Sequence, residues 1–211
     1  MAHKRGTLRI IGGQWRGRRL PIVETEGLRP TPDRVRETLF NWLQQEIVGS
    51  HCLDLFAGTG ALAFEALSRG AEQVTAVERN PRACKQMQLT ATDLGTDRLT
   101  VVCADVEDFL RQTANTDSAA GPNSSPDFWQ IIFVDPPYSL GYPPPQWPRL
   151  NGHPRLAADA LVYLESHADY RDTVLNNTAA NWVANWVEKR KKVAGEVCYR
   201  LLQRDDFDNN Q

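Results

Sequence analysis

His51–Glu78 reads HCLDLFAGTGALAFEALSRGAEQVTAVE. An apolar run, His51–Phe56, turns through Gly58-Thr59-Gly60, continues as a helical stretch at Ala61–Ser68 and returns to a second apolar run at Gln73–Glu78. A short apolar run bounded by turn residues reads as a strand buried on both faces, and a strand–helix–strand unit of this kind joins parallel neighbours. The alternation extends downstream. Candidate strands follow at Leu99–Ala104, Gln130–Asp135 and Ala160–Glu165, with helical stretches at Pro81–Leu94 and Val106–Gln112. The expected fold is α/β, a doubly wound, mostly parallel sheet. With 211 residues the chain has room for one such domain over 31–204 and a short accessory piece.

The flanks read differently. Thr7–Ile11 and Gln14–Val23 resemble two strands joined at Gly12-Gly13, a pair suited to a tight hairpin turn, so residues 1–30 are expected to form a separate extension. Thr31 is placed to cap a helix with Pro32 in its first position and Asp33 at the positive end of its dipole. Val35, Leu39, Trp42, Leu43 and Ile47 recur at helical spacing. Near the other end, Trp182–Val187 and Gly195–Leu202 suggest a closing antiparallel pair, with Trp182 and Trp186 in the core. Thr113–Asp127 reads as a mobile surface loop, and Ser139–Pro154, with five prolines, is not expected to be regular helix. Residues 205–211 read as a frayed tail.

No apolar run is long enough to span a bilayer, and the basic N-terminus lacks the apolar stretch of a secretory signal, so a cytoplasmic location is expected. Cys52, Cys84, Cys103 and Cys198 are scattered and read as free thiols; the four histidines form no ligand-spaced pair, so no metal is expected. The net charge of −2 conceals a local excess: residues 1–20 hold six basic residues and no acid. Arg16, Arg18 and Arg19 can pair phosphates bidentately and Trp15 offers a stacking face, which fits contact with RNA. Lys189–Lys192 is a second basic cluster, equally well read as a solvated face.

Chemistry concentrates at the strand ends. In a doubly wound sheet, ligands bind at the carboxyl ends of strands, where strand order reverses. Asp54-Leu55-Phe56-Ala57-Gly58-Thr59-Gly60 puts a carboxylate beside a glycine turn, which suits a cationic group such as the sulfonium and ammonium of S-adenosylmethionine. Gly58–Ala63 also fits the dinucleotide fingerprint, and Glu78 can hold the ribose of either ligand, so a nicotinamide or flavin enzyme stays open on these residues. Asp105 can accept from an adenine amino group or cap the helix that follows it. Asp135-Pro136-Pro137-Tyr138 ends the run Ile131–Val134. Its carboxylate and a proline carbonyl can hold the two protons of an exocyclic base amine and aim the nitrogen lone pair, while Tyr138 offers a ring face to the base.

Together these motifs resemble the class I methyltransferases acting on base amines, which are Rossmann-like. Arg9–Gly13, Trp15–Leu20, Arg29-Pro30-Thr31, Arg36–Asn41 and Gly195–Leu201 narrow the resemblance to the RsmD family. The resemblance implies methylation of N2 of a guanine in bacterial 16S ribosomal RNA. It further implies that Asp54, Phe56, Gly58, Gly60, Glu78 and Asp105 surround S-adenosylmethionine and that Asp135, Pro136, Pro137 and Tyr138 hold the guanine. Ribosomal RNA or the small ribosomal subunit is the implied partner, and a monomer is expected. Adenine-N6 methylation of DNA or RNA is the nearest rival, since the same tetrad serves it; a non-catalytic RNA-binding module is a third reading. The contacts of Arg29, Thr31, Arg34 and Arg36 are left open.

Overall fold

The apolar runs lie side by side in the computed structural model, which describes residues 6–23, 31–116, 128–141, 144–170 and 185–205. The parallel strands are β3 (His51–Asp54), β4 (Gln73–Glu78), β5 (Leu99–Cys103), β6 (Trp129–Val134) and β7 (Leu156–His167). With β8 (Trp186–Ala194) and β9 (Val197–Arg204) they form one sheet in the order β5-β4-β3-β6-β7-β9-β8. Only the pairings of β9 with β7 and β8 are antiparallel. Strand order therefore reverses between β3 and β6, the place in such a sheet where ligands bind at the carboxyl ends of the strands. β9 follows β8 in the chain but lies inside it, so β8 is an edge.

Helices cover both faces. α1 (Asp33–Trp42), α2 (Ala61–Ser68) and α3 (Pro81–Leu94) lie over one apolar layer that includes Phe40, Phe64, Met87, Phe133 and Tyr163. α4 (Val106–Thr116) and α5 (Trp147–Asn151) lie over the other, with Phe109, Trp129, Ile132 and Trp147. Local chemistry sets the helix ends: Asn80 caps α3 by accepting from the Arg82 and Ala83 amides, Pro81 occupies its first turn, and Gly95 stops it at φ 66°. α2 is buried along its whole length, which a helix covered from one side only would not be. Its outer face is covered by the N-terminal segment, whose Leu8, Ile10 and Leu20 belong to the same apolar layer.

That segment departs from its sequence reading. β1 (Thr7–Arg9) and β2 (Arg19–Pro21) do pair antiparallel, but residues 10–18 form a long loop rather than a two-residue turn at Gly12-Gly13. The glycines serve a tertiary contact: Gly13 sits at φ 75°, and a Cβ on it would lie 1.7 Å from the Ser68 carbonyl oxygen. The Glu65 carboxylate in α2 accepts from the Ile11 and Gly12 amides at 2.8 Å each and pairs with Arg69 at 2.7 Å. Arg36 is fully buried, donates to the Arg9 carbonyl and Asp33, and lies 3.5 Å from Glu65. It is a structural residue of this clamp.

Four further expectations are corrected. Thr31 makes no cap; Pro32 stands at the cap position and α1 begins at Asp33. The strand expected at Trp182–Val187 runs from Trp186 to Ala194 and carries the Lys189–Lys192 cluster, because an exposed edge strand shows no hydrophobic alternation. Ser139–Pro154 does contain one short helix, α5, which tolerates Pro148 in its first turn. α4 reaches Thr116, so the loop expected from residue 113 begins later; residues 117–127, Trp182 and the 206–211 tail lie outside the described residues. Trp186 is buried, as expected.

Candidate active site

The carboxyl ends of β4, β3, β6 and β7 each carry an acid: Glu78, Asp54, Asp135 and Glu165. Ala76, Cys52, Phe133 and Tyr163, two residues earlier in each case, belong to the apolar layer beneath α1–α3. Side chains alternate along a strand, so all four acids project to that one face. Residue pairing aligns Asp54 with Ala76 and Phe133, and Val134 with Leu164, which makes Asp135 and Glu165 immediate neighbours.

The glycine loop is tied to both neighbouring strands. The Leu55 amide donates to the Phe133 carbonyl, the Ala57 amide to Val77, and the Gly58 amide to Glu78 Oε2 at 2.8 Å. Glu78 Oε1 accepts from the Asn80 amide at 2.7 Å, so the carboxylate fixes the loop and the start of α3 together. Gly60 sits at φ 79°, and a Cβ there would meet Phe64 at 2.9 Å and Met87 at 3.0 Å. Phe56 is partly buried against the α4 layer. Asp105 is exposed and caps α4, with Oδ1 accepting from the Glu107 amide at 2.8 Å.

Asp54 is the anomaly of the row. It is 1% exposed, and neither carboxylate oxygen has a hydrogen-bond partner among the described residues. Burial, then the Asp135 carboxylate and, more weakly, Glu78 push its pKa up to about 8; the Phe56 and Ala63 amides pull the other way without forming regular hydrogen bonds. An unpaired buried carboxylate is costly and favours either a proton or an incoming cation.

At the neighbouring strand end, Asp135 Oδ2 accepts from the Thr31 hydroxyl at 3.0 Å. Burial raises Asp135 to about 6, against the Thr31 hydrogen bond and the opposing influence of the neighbouring Glu165 carboxyl group. Pro136 is buried and Pro137 exposed; the Pro137 carbonyl accepts from the Leu140 amide at 2.9 Å, closing a helical turn at Tyr138–Leu140. No donor among the described residues reaches the Pro136 carbonyl. Tyr138 is 43% exposed rather than plugging the core. Its hydroxyl donates to Glu165 Oε1 at 3.3 Å and its ring meets His167 edge-on at 5.6 Å. Glu165 Oε2 accepts from the Tyr163 hydroxyl at 2.6 Å.

Glu165, Tyr163 and the Thr31 contact are absent from the sequence reading. The rule that picked out Asp54 and Glu78, an acid ending a buried strand, also finds Glu165 when applied to β7. The RNA-contact candidates Arg16 and Arg18, on the loop joining β1 and β2, and Arg19, at the start of β2, are all exposed; Arg18 also donates to the Asp93 carbonyl at 3.4 Å. Trp15 is partly buried against the core with the Arg98 guanidinium 5.9 Å above its ring, so it is not the open stacking platform expected. Arg34 is exposed on α1, and Arg29 lies outside the described residues.

A family model described as "Conserved hypothetical protein 95" matches residues 8–203. The chain is 43% identical over 200 residues to the "Ribosomal RNA small subunit methyltransferase D" of Escherichia coli (strain K12), covering 95% of this chain and 91% of that protein. The protein so named in Haemophilus influenzae is 38% identical, with 94% and 95% covered. The solved structure of the "Putative methyltransferase yhhF from Escherichia coli" superposes with a TM-score of 0.76 at 40% identity, covering 95% of this chain and 99% of that one.

Proposed function

The chain belongs to the RsmD family of methyltransferases, and from that membership we propose that it methylates small-subunit ribosomal RNA, moving a methyl group from S-adenosylmethionine to N2 of a guanine. The observation that carries this reading is Asp54, buried and unpaired in a row of acids. Such a row favours a ligand that brings positive charge. S-adenosylmethionine brings a sulfonium and an ammonium, whereas a dinucleotide would bring its pyrophosphate against the same carboxylates. Gly58 and Gly60 let the ligand approach the backbone, Glu78 faces its ribose, Phe56 flanks it, and the second oxygen of Asp105 is left for the adenine amino group.

When bound, the cofactor supplies an electrophilic methyl carbon whose bond to sulfur breaks with its electron pair, leaving a neutral thioether. The rest falls to this chain. Asp135 and the Pro136 carbonyl accept hydrogen bonds from the two N2–H groups, which localises the nitrogen lone pair and directs it at the methyl carbon. Pro137 stiffens the corner and Tyr138, exposed and fixed at its hydroxyl, stacks on an extruded base. The new N–C bond leaves the nitrogen positively charged, and one proton passes to Asp135 or water. Arg16, Arg18 and Arg19 pair with RNA phosphates.

The test uses labelled S-adenosylmethionine and small ribosomal subunits from cells lacking this methylation, with mass spectrometry of the released nucleosides. N2-methylguanosine is expected. N6-methyladenosine would transfer the assignment to adenine, and an unlabelled digest would overturn the substrate class.

A further inference from the structure

Glu165 is the one acid of the row without a part in the reaction so far. It follows Leu164, which pairs with Val134, so its carboxyl group lies beside that of Asp135, near enough for each to shift the other's titration. Its two oxygens accept from the Tyr138 and Tyr163 hydroxyls. One carboxyl group thus touches both the proposed amine acceptor and the proposed base platform. Two ionised carboxylates side by side in a buried site repel strongly, and a shared proton removes the conflict.

We propose that Glu165 is a positioning residue that works as a neutral acid: it keeps its proton and donates a hydrogen bond to Asp135, holding that carboxylate ionised and aimed, while its oxygens hold Tyr138 and Tyr163. The assignment rests on the methyltransferase reading of the site.

The surroundings agree. Glu165 faces Asp135 and, beyond it, Asp54 on β3; Tyr163 and His167 lie on its own strand; Tyr199 pairs opposite it on β9; Glu196 lies in the turn between β8 and β9 and acts on Tyr138. Apart from His167, which is 3.1 Å from Asp169, these groups are acids or phenols. Ionising Glu165 therefore adds a negative charge with no arginine or lysine opposite it among the described residues. Burial and the Asp135 charge raise Glu165 to about 8, while Asp135 stands at about 6. The Tyr163 and Tyr138 hydroxyls pull Glu165 the other way; between these values the pair holds one proton, which we place on Glu165.

The experiment compares kcat and KM against pH for wild type, E165Q and E165L, with cofactor affinity measured separately. Wild type is expected to lose kcat below about pH 6, as Asp135 protonates, and above about pH 8, as Glu165 ionises. E165L has no proton to give and is expected to lose roughly tenfold in kcat at pH 7, with cofactor affinity nearly unchanged. E165Q retains an N–H donor and a carbonyl acceptor. It is expected to recover most of that loss and to lack the alkaline decline. Wild-type behaviour in E165L, or an E165Q as impaired as E165L, would overturn the assignment. Should E165L fail to fold, the E165Q profile alone decides. A wild-type enzyme that moves no label to ribosomal RNA would sink the substrate reading instead. Infrared difference spectra of wild type and E165Q then settle Glu165: a protonated carboxyl band at pH 7, lost in E165Q, supports it, and its absence overturns it.

Discussion

At Asp54, the charge of one side chain depends on what lies beside it. A pKa of about 8 makes it largely neutral at pH 7 when no cation is near. A cationic cofactor lowers that value, so binding at pH 7 is expected to release a proton, detected as a buffer-dependent enthalpy in calorimetry. Affinity should rise from pH 6 to 8, and D54N should abolish the proton release and weaken binding roughly tenfold. The folded-state pKa lies above the unfolded value of 3.8, so the stabilising contribution of this group is complete below about pH 4 and is lost as pH rises through about 8. The Tm of the ligand-free protein should fall over that range, less steeply in D54N. At Asp135, alanine is expected to abolish turnover and leave cofactor binding largely intact; equal loss of both would contradict its role. Asp54, Glu78 and Asp135 are legible in the sequence because each ends an apolar run. Glu165 ends such a run too, but its adjacency to Asp135 depends on β7 pairing with β6, a fact of topology. Thr31 reads as a cap because Thr before Pro-Asp satisfies local rules, yet its hydroxyl serves a residue 104 positions away.

Among the elements, α2 joins the glycine loop to the N-terminal segment. Gly60 precedes its first residue, Glu65 in its middle holds the Ile11 and Gly12 amides, and the Ser68 hydroxyl donates to the Gly12 carbonyl at 2.6 Å. Glu65→Leu leaves Arg36 buried without its inner partner and is expected to cost about 3 kcal/mol in urea unfolding. Gly13→Ala must leave φ 75° or move Ser68, and a loss of about 1–3 kcal/mol is expected by the same measurement. The double glycine was legible as a turn signal, but local chemistry cannot show that its space is filled by a helix some 55 residues on. β8 was misplaced for the converse reason: its exposed residues 189–193 carry no periodic signal, and only pairing with β9 makes them a strand.

For the whole molecule, the alternation of apolar runs and helical stretches was enough to give a doubly wound sheet, because buried parallel strands are continuous apolar segments. It did not give the strand order, which is set by how the crossovers pack. The exposed arginines of the N-terminal segment bear on the molecule as a polyelectrolyte. R16A/R18A/R19A is expected to lower the slope of log affinity for RNA against log salt by about two to three, since each lost phosphate contact removes about 0.7–0.9. An unchanged slope would place the RNA elsewhere. The sheet order has a consequence for biosynthesis. β9 is made after β8 yet wedges between it and β7. Until residue 204 has left the ribosome, the flank of β7 is a bare rack of amide and carbonyl groups. Every chain thus passes through an interval in which it is one strand short and open to pairing with its neighbours, and a nascent chain that has emerged only as far as Ala194 should be the species that chaperones seize.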